Sequence, residues 1–226
     1  MSTEAAIPAA AAERLGAPPL TNGVAKPLEV PAALEDDSTI QTVDELVRRR
    51  ARTHAHHVVV SYPSSGIEYV DYTMQQLDVF AYRVANIYQP YVPARTSPAE
   101  KPRVVAILGP SNLDYLVTIL ALTKLGHTVL FLSTRIPQEA VDNLLVSTGA
   151  NFLLHHAKFE GVAAAAKEAI PDFGSAEIAT GAAYNFPVEA YADTNLTSSL
   201  DPAIETTHNV FIIHSSGKPK PCSPHL

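Results

Sequence analysis

The sequence predicts an α/β fold: a partly parallel sheet with flanking helices, preceded by a helix–hairpin–helix segment. Three observations carry this. From Arg103 onward, short apolar runs without alternation, such as Arg103-Val-Val-Ala-Ile-Leu108, recur between helical patterns. Runs of that kind belong to strands covered on both faces, and successive strand–helix–strand units build a parallel sheet with helices on either side. Before Arg103 the pattern differs, with two strand-like runs around the turn Pro63-Ser-Ser-Gly66 and a helical pattern on each side.

Residues 1–38 are rich in Ala, Pro and acidic side chains and show no apolar period. They read as a disordered leader, with Pro18, Pro19, Pro27 and Pro31 interrupting any long helix. Glu4, Glu13, Glu29 and Glu35 are unlike an organellar transit peptide, which is Arg-rich and poor in acids. Order begins at Thr42-Val-Asp-Glu45, a capping box in which each side chain satisfies an orphan amide of the first turn. Val43, Leu46, Val47 and Ala51 then mark one helix face to about His54. Val58-Val-Val-Ser-Tyr62 and Ile67-Glu-Tyr-Val-Asp-Tyr72 form a hairpin, and the alternation of Ile67 and Tyr69 against Glu68 predicts one solvated face. Thr73 with Gln76 is a second capping box. It opens a helix through Leu77, Phe80, Val84 and Ile87 to about Tyr88, ended by Pro90 and Pro93, and residues 94–102 form a surface loop.

After the strand 103–108, Gly109-Pro-Ser-Asn112 is a turn, with Ser111 or Asn112 capping a helix that carries Tyr115, Leu116, Ile119, Leu120 and Leu122. Gly126 fits its C′ position. His127-Thr-Val-Leu-Phe-Leu132 is the next strand and Ser133-Thr-Arg-Ile136 a loop. Pro137 suits a first helical turn because its missing amide would be an orphan there, and the helix runs through Val141, Leu144 and Leu145 to Gly149. Asn151-Phe-Leu-Leu154 is a third strand, followed by an alanine-rich helix over about 157–170. The segment 173–207 is weakly patterned, with one strand-like run, Ala176 to Ala179. Val210 to Ile213 is the fourth strand. It reads as central and buried on both faces, and it runs straight into His214-Ser-Ser-Gly-Lys-Pro-Lys-Pro221.

Composition excludes several classes. A net charge of −7 argues against a nucleic-acid partner, which needs a concentrated basic surface. The cluster Arg48-Arg49-Arg50 with Arg52 reads as a solvated helix face. No run approaches the ~18 apolar residues of a membrane span, and the N-terminus lacks a secretory signal. Cys222 is the single cysteine, so no internal disulfide forms. The chain is expected in a reducing, cytoplasmic compartment. There is no G-x-G-x-x-G, no G-x-x-x-x-G-K-[ST] and no G-x-S-x-G motif. His54, His56 and His57, like His155 and His156, read as surface histidines, because no Cys or carboxylate partner stands in metal-ligand pattern with them.

Ligands of open α/β sheets bind beyond the carboxyl ends of the strands. Three loops occupy that position: Gly109 to Asn112, Ser133 to Arg135, and Ser215 to Lys220. The first reads as turn-plus-cap chemistry and Arg135 as a surface charge. The third has the composition of a phosphate loop: Gly217 allows close backbone approach, Ser215 and Ser216 offer hydroxyls, and Lys218 or Lys220 supplies charge. The alternative is a polar tail after a strand.

Three stretches together resemble the N-terminal part of the acyl-adenylating (AMP-dependent synthetase/ligase) superfamily, and are similar in wording to fungal nonribosomal-peptide-synthetase-like adenylation domains. Tyr69-Val-Asp-Tyr-Thr-Met-Gln-Gln-Leu77 resembles the early tyrosine-threonine…leucine motif. Leu120-Ala-Leu-Thr-Lys-Leu-Gly-His-Thr-Val-Leu130 is similar to the leucine-lysine-alanine-glycine segment, with Lys124 and Gly126 in matching places. Phe211-Ile-Ile-His-Ser-Ser-Gly217 resembles the start of the phosphate loop T-S-G-S-T-G-x-P-K-G. The resemblance implies ATP with magnesium as cofactor and a carboxylic acid as substrate. It makes Ser215, Ser216, Gly217 and Lys220 the nucleotide-binding residues and assigns no catalytic residue or metal ligand. Against the family pattern the loop is three residues short, and only Cys222 to Leu226 follow Pro221. The reading is therefore a leader (1–38), the N-terminal part of an adenylation domain (39–221) and an aberrant tail (222–226). Such a chain is expected to be inactive by itself and to expose apolar surface along its last strand. The alternative from a different class is a degenerate nucleotide-binding or interaction module. An unrelated small α/β enzyme is disfavoured, since no loop assembles an acid/base or nucleophile constellation.

Overall fold

The computed structural model describes residues 37–64, 67–188 and 191–214. The chain divides into two units, Met1–Ser38 and Thr39–Leu226, and the helices and strands named below lie in the second. Residues 1–36 of the leader, and everything after His214, fall outside the described residues.

Helix α1 (Val43–Thr53) is opened by Thr42, whose Oγ1 accepts the Glu45 amide at 3.1 Å. Glu45 reaches back one residue further than a capping box requires: its Oε2 accepts the amide of Gln41 at 3.0 Å, not that of Thr42. Strands β1 (Val58–Pro63) and β2 (Tyr69–Thr73) pair antiparallel. Thr73 then caps α2 (Met74–Tyr88) with the full reciprocal box, Gln76 N–H to Thr73 Oγ1 at 3.2 Å and Thr73 N–H to Gln76 Oε1 at 2.8 Å. The predicted hairpin face is corrected. Ile67 is 94% exposed and Tyr69 is exposed as well, while Tyr72 is the buried residue of β2, its ring edge-on to Phe80. A two-stranded ribbon has too little area to cover a face of its own. It meets the core through Val60 and Tyr62 of β1 and through Tyr72, where β2 turns into α2, and Ile67 and Tyr69 lie beyond that contact.

Strands β3 (Val104–Leu108), β4 (Thr128–Phe131), β5 (Ala150–His155), β6 (Gly174–Glu177) and β7 (Phe211–Ile213) form one sheet in the order β6-β5-β3-β4-β7, all neighbours parallel. Their connections include α3 (Leu113–Lys124), α4 (Gln138–Thr148), α5 (Glu160–Ala169) and two one-turn helices, α6 (Gly181–Tyr184) and α7 (Pro202–Glu205). Asn112, not Ser111, caps α3, accepting the Tyr115 amide at 3.0 Å. Gly126 (φ +78°) and Gly149 (φ +68°) stop α3 and α4 in the left-handed region that favours glycine. Pro137 is extended (ψ 161°) and stands just before α4, one residue earlier than its predicted place in the first turn.

Strand alternation divides the core in two. Val105, Ile107, Val129 and Leu154 pack against Leu77, Phe80, Val84 and Tyr88 of α2 and Val117, Ala121 and Leu122 of α3. Ala106, Leu108, Leu130 and Leu153 pack on the other face, against Val141 and Leu145 of α4 and Ala163 and Ala166 of α5. Both faces are therefore covered, as the unalternating runs predicted.

Two strands differ from expectation. Strand β6 begins two residues before the strand-like run, at Gly174, where a side chain would meet the Phe152 ring of β5 at 2.5 Å. Glycine is there for close approach, not for a turn. Strand β7 is the edge of the described sheet and not a central strand, and its Ile213 is 78% exposed. Among the described residues no helix is long and apolar enough to cross a membrane.

Candidate functional site

The chain passes from β3 outward to β4, then crosses back over β3 to β5. Helix α3 lies on one face and α4 and α5 on the other. The reversal falls between β3 and β5, the topological switch point at which open α/β sheets open a crevice. Here that crevice is filled by protein. A Cβ on Gly109 would stand 3.2 Å from Ile178, 3.4 Å from His156 and 3.5 Å from Tyr115. The His156 amide donates to the Leu108 carbonyl at 2.9 Å. Beside it Tyr184 donates its hydroxyl to Asp114 at 2.5 Å. Burial raises the Tyr184 phenol, the Asp114 hydrogen bond adds to it, and burial pushes Tyr115 up to about 12, so both remain protonated donors at neutral pH. The loop 109–112 is thus packing and capping chemistry.

The strand ends that lead to the other two candidate loops lie side by side. Strands β4 and β7 are neighbours, with Phe131 opposite Ile213. The loop leaving β4 touches the residue leaving β7: Ser133 N–H donates to His214 Nε2 at 3.3 Å. Ser133 Oγ also accepts the Arg135 amide at 3.3 Å, and the Arg135 side chain is exposed at the tip. A ring contact of 5.5 Å between Phe131 and Phe211 holds the strands together beneath. Ser215, Ser216, Gly217, Lys218 and Lys220 come next in sequence and lie outside the described residues. His54 and His57 approach to 5.1 Å between ring centroids. Among the described residues no group of three His, Cys, Asp or Glu comes together as a metal site.

Lys124 entered the sequence reading only as part of a motif, and its place in the fold is specific. Its ammonium is 1% exposed and sits between two carboxylates, Asp44 of α1 at 2.7 Å and Asp78 of α2 at 2.5 Å. Asp44 also accepts from Arg48 Nε at 2.8 Å. Asp78 Oδ2 accepts from Tyr191 at 2.6 Å and Thr194 at 2.7 Å. One buried cation thereby ties together α1, α2, α3 and the strap around 191–194. At the amino ends of the strands His127 is sealed in, its Nε2–H donating to the Pro93 carbonyl at 2.8 Å and its Nδ1 accepting the Arg103 amide at 3.3 Å. Burial lowers its pKa to about 4, with the nearby Arg103 and Arg95 charges acting in the same direction.

Residues 47–222 match the AMP-binding enzyme family. The chain belongs to that family. An adenylate-forming reductase of Stachybotrys bisbyi is 28% identical over 202 residues, 86% of this chain but 19% of the relative, so the chain spans about a fifth of its length. Among solved structures, the inhibitor-bound N-terminal domain of FACL13 from Mycobacterium tuberculosis superposes with a TM-score of 0.55 at 21% identity, covering 79% of this chain and 42% of that one. The anthranilate CoA ligase AuaEII, in complex with anthranoyl-AMP, gives 0.51 at 15% identity over 64% and 27%. At these identities the likeness is one of fold. The α/β architecture and the recognition of an adenylating domain's N-terminal portion both stand.

Sequence reasoning named the Ser133 loop and the segment after β7, and missed His214, which joins the ends of β4 and β7. His214 carries no signal of its own. Its contact with Ser133 bridges 81 positions, and only the parallel pairing of β4 with β7 brings the two together.

Proposed function

We propose that residues 39–221 are the N-terminal part of an ATP-dependent acid-activating ligase, preceded by a leader and followed by a short tail. In that reaction a carboxylate oxygen attacks the α-phosphorus of ATP. An acyl–phosphate bond forms, the α–β phosphoanhydride breaks, and pyrophosphate leaves. Catalysis of this kind rests on holding phosphate charge more than on covalent help from the protein. Ser215, Ser216, Gly217 and Lys220 are the residues assigned to the phosphates, with magnesium as counter-ion. The observation that carries the reading is the meeting of the β4 and β7 exits at Ser133 and His214, at the carboxyl ends of parallel strands in a chain of this family.

The loop from Ser215 to Lys220 is three residues shorter than the family pattern, and on that ground the chain is proposed not to turn over by itself. Its single cysteine fits a reducing, cytoplasmic compartment. The test is acid-dependent exchange of labelled pyrophosphate into ATP, across a panel of aryl, fatty and amino acids, alongside calorimetric titration with Mg·ATP. No exchange is expected with any acid, and robust exchange would refute the inactivity. Micromolar ATP binding without exchange would favour the binding-module alternative.

A further inference from the structure

A cavity of about 450 Å³ opens at the amino ends of β3, β4 and β7, the opposite end of the sheet from Ser133 and His214. One wall is a face of α1 that runs from its first turn to its last, with Arg48 and Arg52 among its lining residues. The other is the strap that leads into β7, with Thr197, Glu205 and His208. This is the volume of a small-molecule site, and its walls are polar and of both signs.

We propose that this cavity is a second ligand site, taking a small zwitterion: a molecule that carries a protonated amine and a carboxylate a few bonds apart. Arg48 and Arg52 are one helical turn apart on the same side of α1 and present guanidinium N–H groups, the donors that match a carboxylate. Arg48 commits its Nε to Asp44. On the facing strap the deficit is reversed. Glu205 gives Oε2 to Arg95, while its Oε1 has no hydrogen-bond partner among the described residues, and neither has His208 Nε2. A buried carboxylate oxygen and imidazole nitrogen left without partners are costly, and an ammonium supplies donors to the oxygen and to Nε2 in the tautomer that carries its proton on Nδ1. Both atoms are shielded from solvent although their residues line the cavity, so an ammonium would meet them only once the two side chains turn toward it. The ionised groups at and behind the walls are already balanced, Asp44 and Asp78 by Lys124 and Arg48, and Glu205 by Arg95. An ion of one sign would leave a charge in excess, and a zwitterion does not. The strap continues through Asn209 and Val210 into β7, so occupancy would also hold β7 in register.

The experiment is a thermal-melt and calorimetric titration of the full 226-residue chain at constant ionic strength. Its probes are glycine, γ-aminobutyrate and ε-aminocaproate, with acetate and methylammonium, separately and mixed, as the half-molecules. At least one amino acid is expected to raise Tm saturably and to bind about tenfold or more tighter than either half. Arg52→Gln, an exposed position, and His208→Phe should each weaken that binding about tenfold while leaving the circular dichroism unchanged. Binding of the half-molecules as tight as that of the amino acids would overturn the proposal. So would unchanged binding in both variants, or no binding by any amino acid in the series. Stabilisation by zinc in place of the amino acids would assign Glu205 and His208 to a metal and overturn it as well. None of these outcomes depends on adenylation activity.

Discussion

His127 should give this chain an acid limb that a single substitution removes. Its imidazole is enclosed, donating to Pro93 and accepting from Arg103, and burial holds its pKa near 4 against 6.5 in the unfolded chain. Because the folded value is the lower one, the unfolded state takes up a proton first as pH falls. The stabilisation is therefore present above pH 6.5 and drains away as pH drops from 6.5 toward 4. Between pH 7 and pH 5 the loss from this one group is about 2 kcal/mol, approaching about 3 kcal/mol at still lower pH. His127→Gln keeps a side-chain amide able to donate to Pro93 but has nothing to titrate. Urea unfolding of both proteins at pH 7, 6 and 5 isolates the effect, since acid-sensitive groups common to the two cancel in the difference. The variant starts less stable, having lost the acceptor for Arg103, and its deficit should shrink by about 2 kcal/mol on going to pH 5. A deficit that stays constant across the three pH values would show that His127 does not stay neutral in the fold.

Lys124→Met leaves Asp78 buried without its cation and Asp44 with Arg48 alone, and should cost about 3–5 kcal/mol, read as a fall in the urea midpoint. Adding Asp44→Asn and Asp78→Asn to it should restore part of the loss, because no bare charge remains; a triple variant no better than Lys124→Met would locate the damage in packing instead. Ile213→Lys places a charge on an exposed position of the edge strand and should reduce association in light scattering with under about 0.5 kcal/mol change in stability.

The parts of this fold that were legible are those decided within four residues or by a dominant period. Thr73 and Gln76, Asn112 with its amide three residues on, and Gly126 and Gly149 at left-handed stops all do locally what their side chains allow. The parallel sheet was legible because burial on both faces erases alternation. What was hidden depends on distant partners. Gly174 reads as a turn former until Phe152 is laid beside it. Ile67 and Tyr69 follow a strand period with no core opposite them. Lys124, Asp44, Asp78 and Thr194 look like surface residues one by one, and their positions are too far apart in sequence for any window to join them. At the candidate site the same limit applies. Loop composition pointed to Ser215, Ser216 and Gly217, whereas the Ser133–His214 contact needed strand order, which no periodicity encodes.

Strand β7 joins the two chemically distinct ends of the sheet, and it is only three residues long, so its anchoring should be measurable. At its amino end Thr128 Oγ1 donates to the Asn209 carbonyl at 2.5 Å and Val129 N–H to Val210 at 2.8 Å; at its carboxyl end His214 accepts from Ser133. Thr128→Val preserves shape, deletes the first tie and leaves the Asn209 carbonyl with one donor fewer, a loss of about 1 kcal/mol. Edge strands open at lower free energy than the core, so the loss should be local. Amide exchange should quicken at Phe211, Ile212 and Ile213, and at Ser133 if the far end loosens with them, while β3 and β5 stay protected. Faster exchange at β7 with Ser133 unaffected would mean that the two ends of the strand are anchored independently. Uniformly faster exchange across the whole sheet would mean that β7 has no separate opening, and that the edge is as much part of the cooperative core as β3.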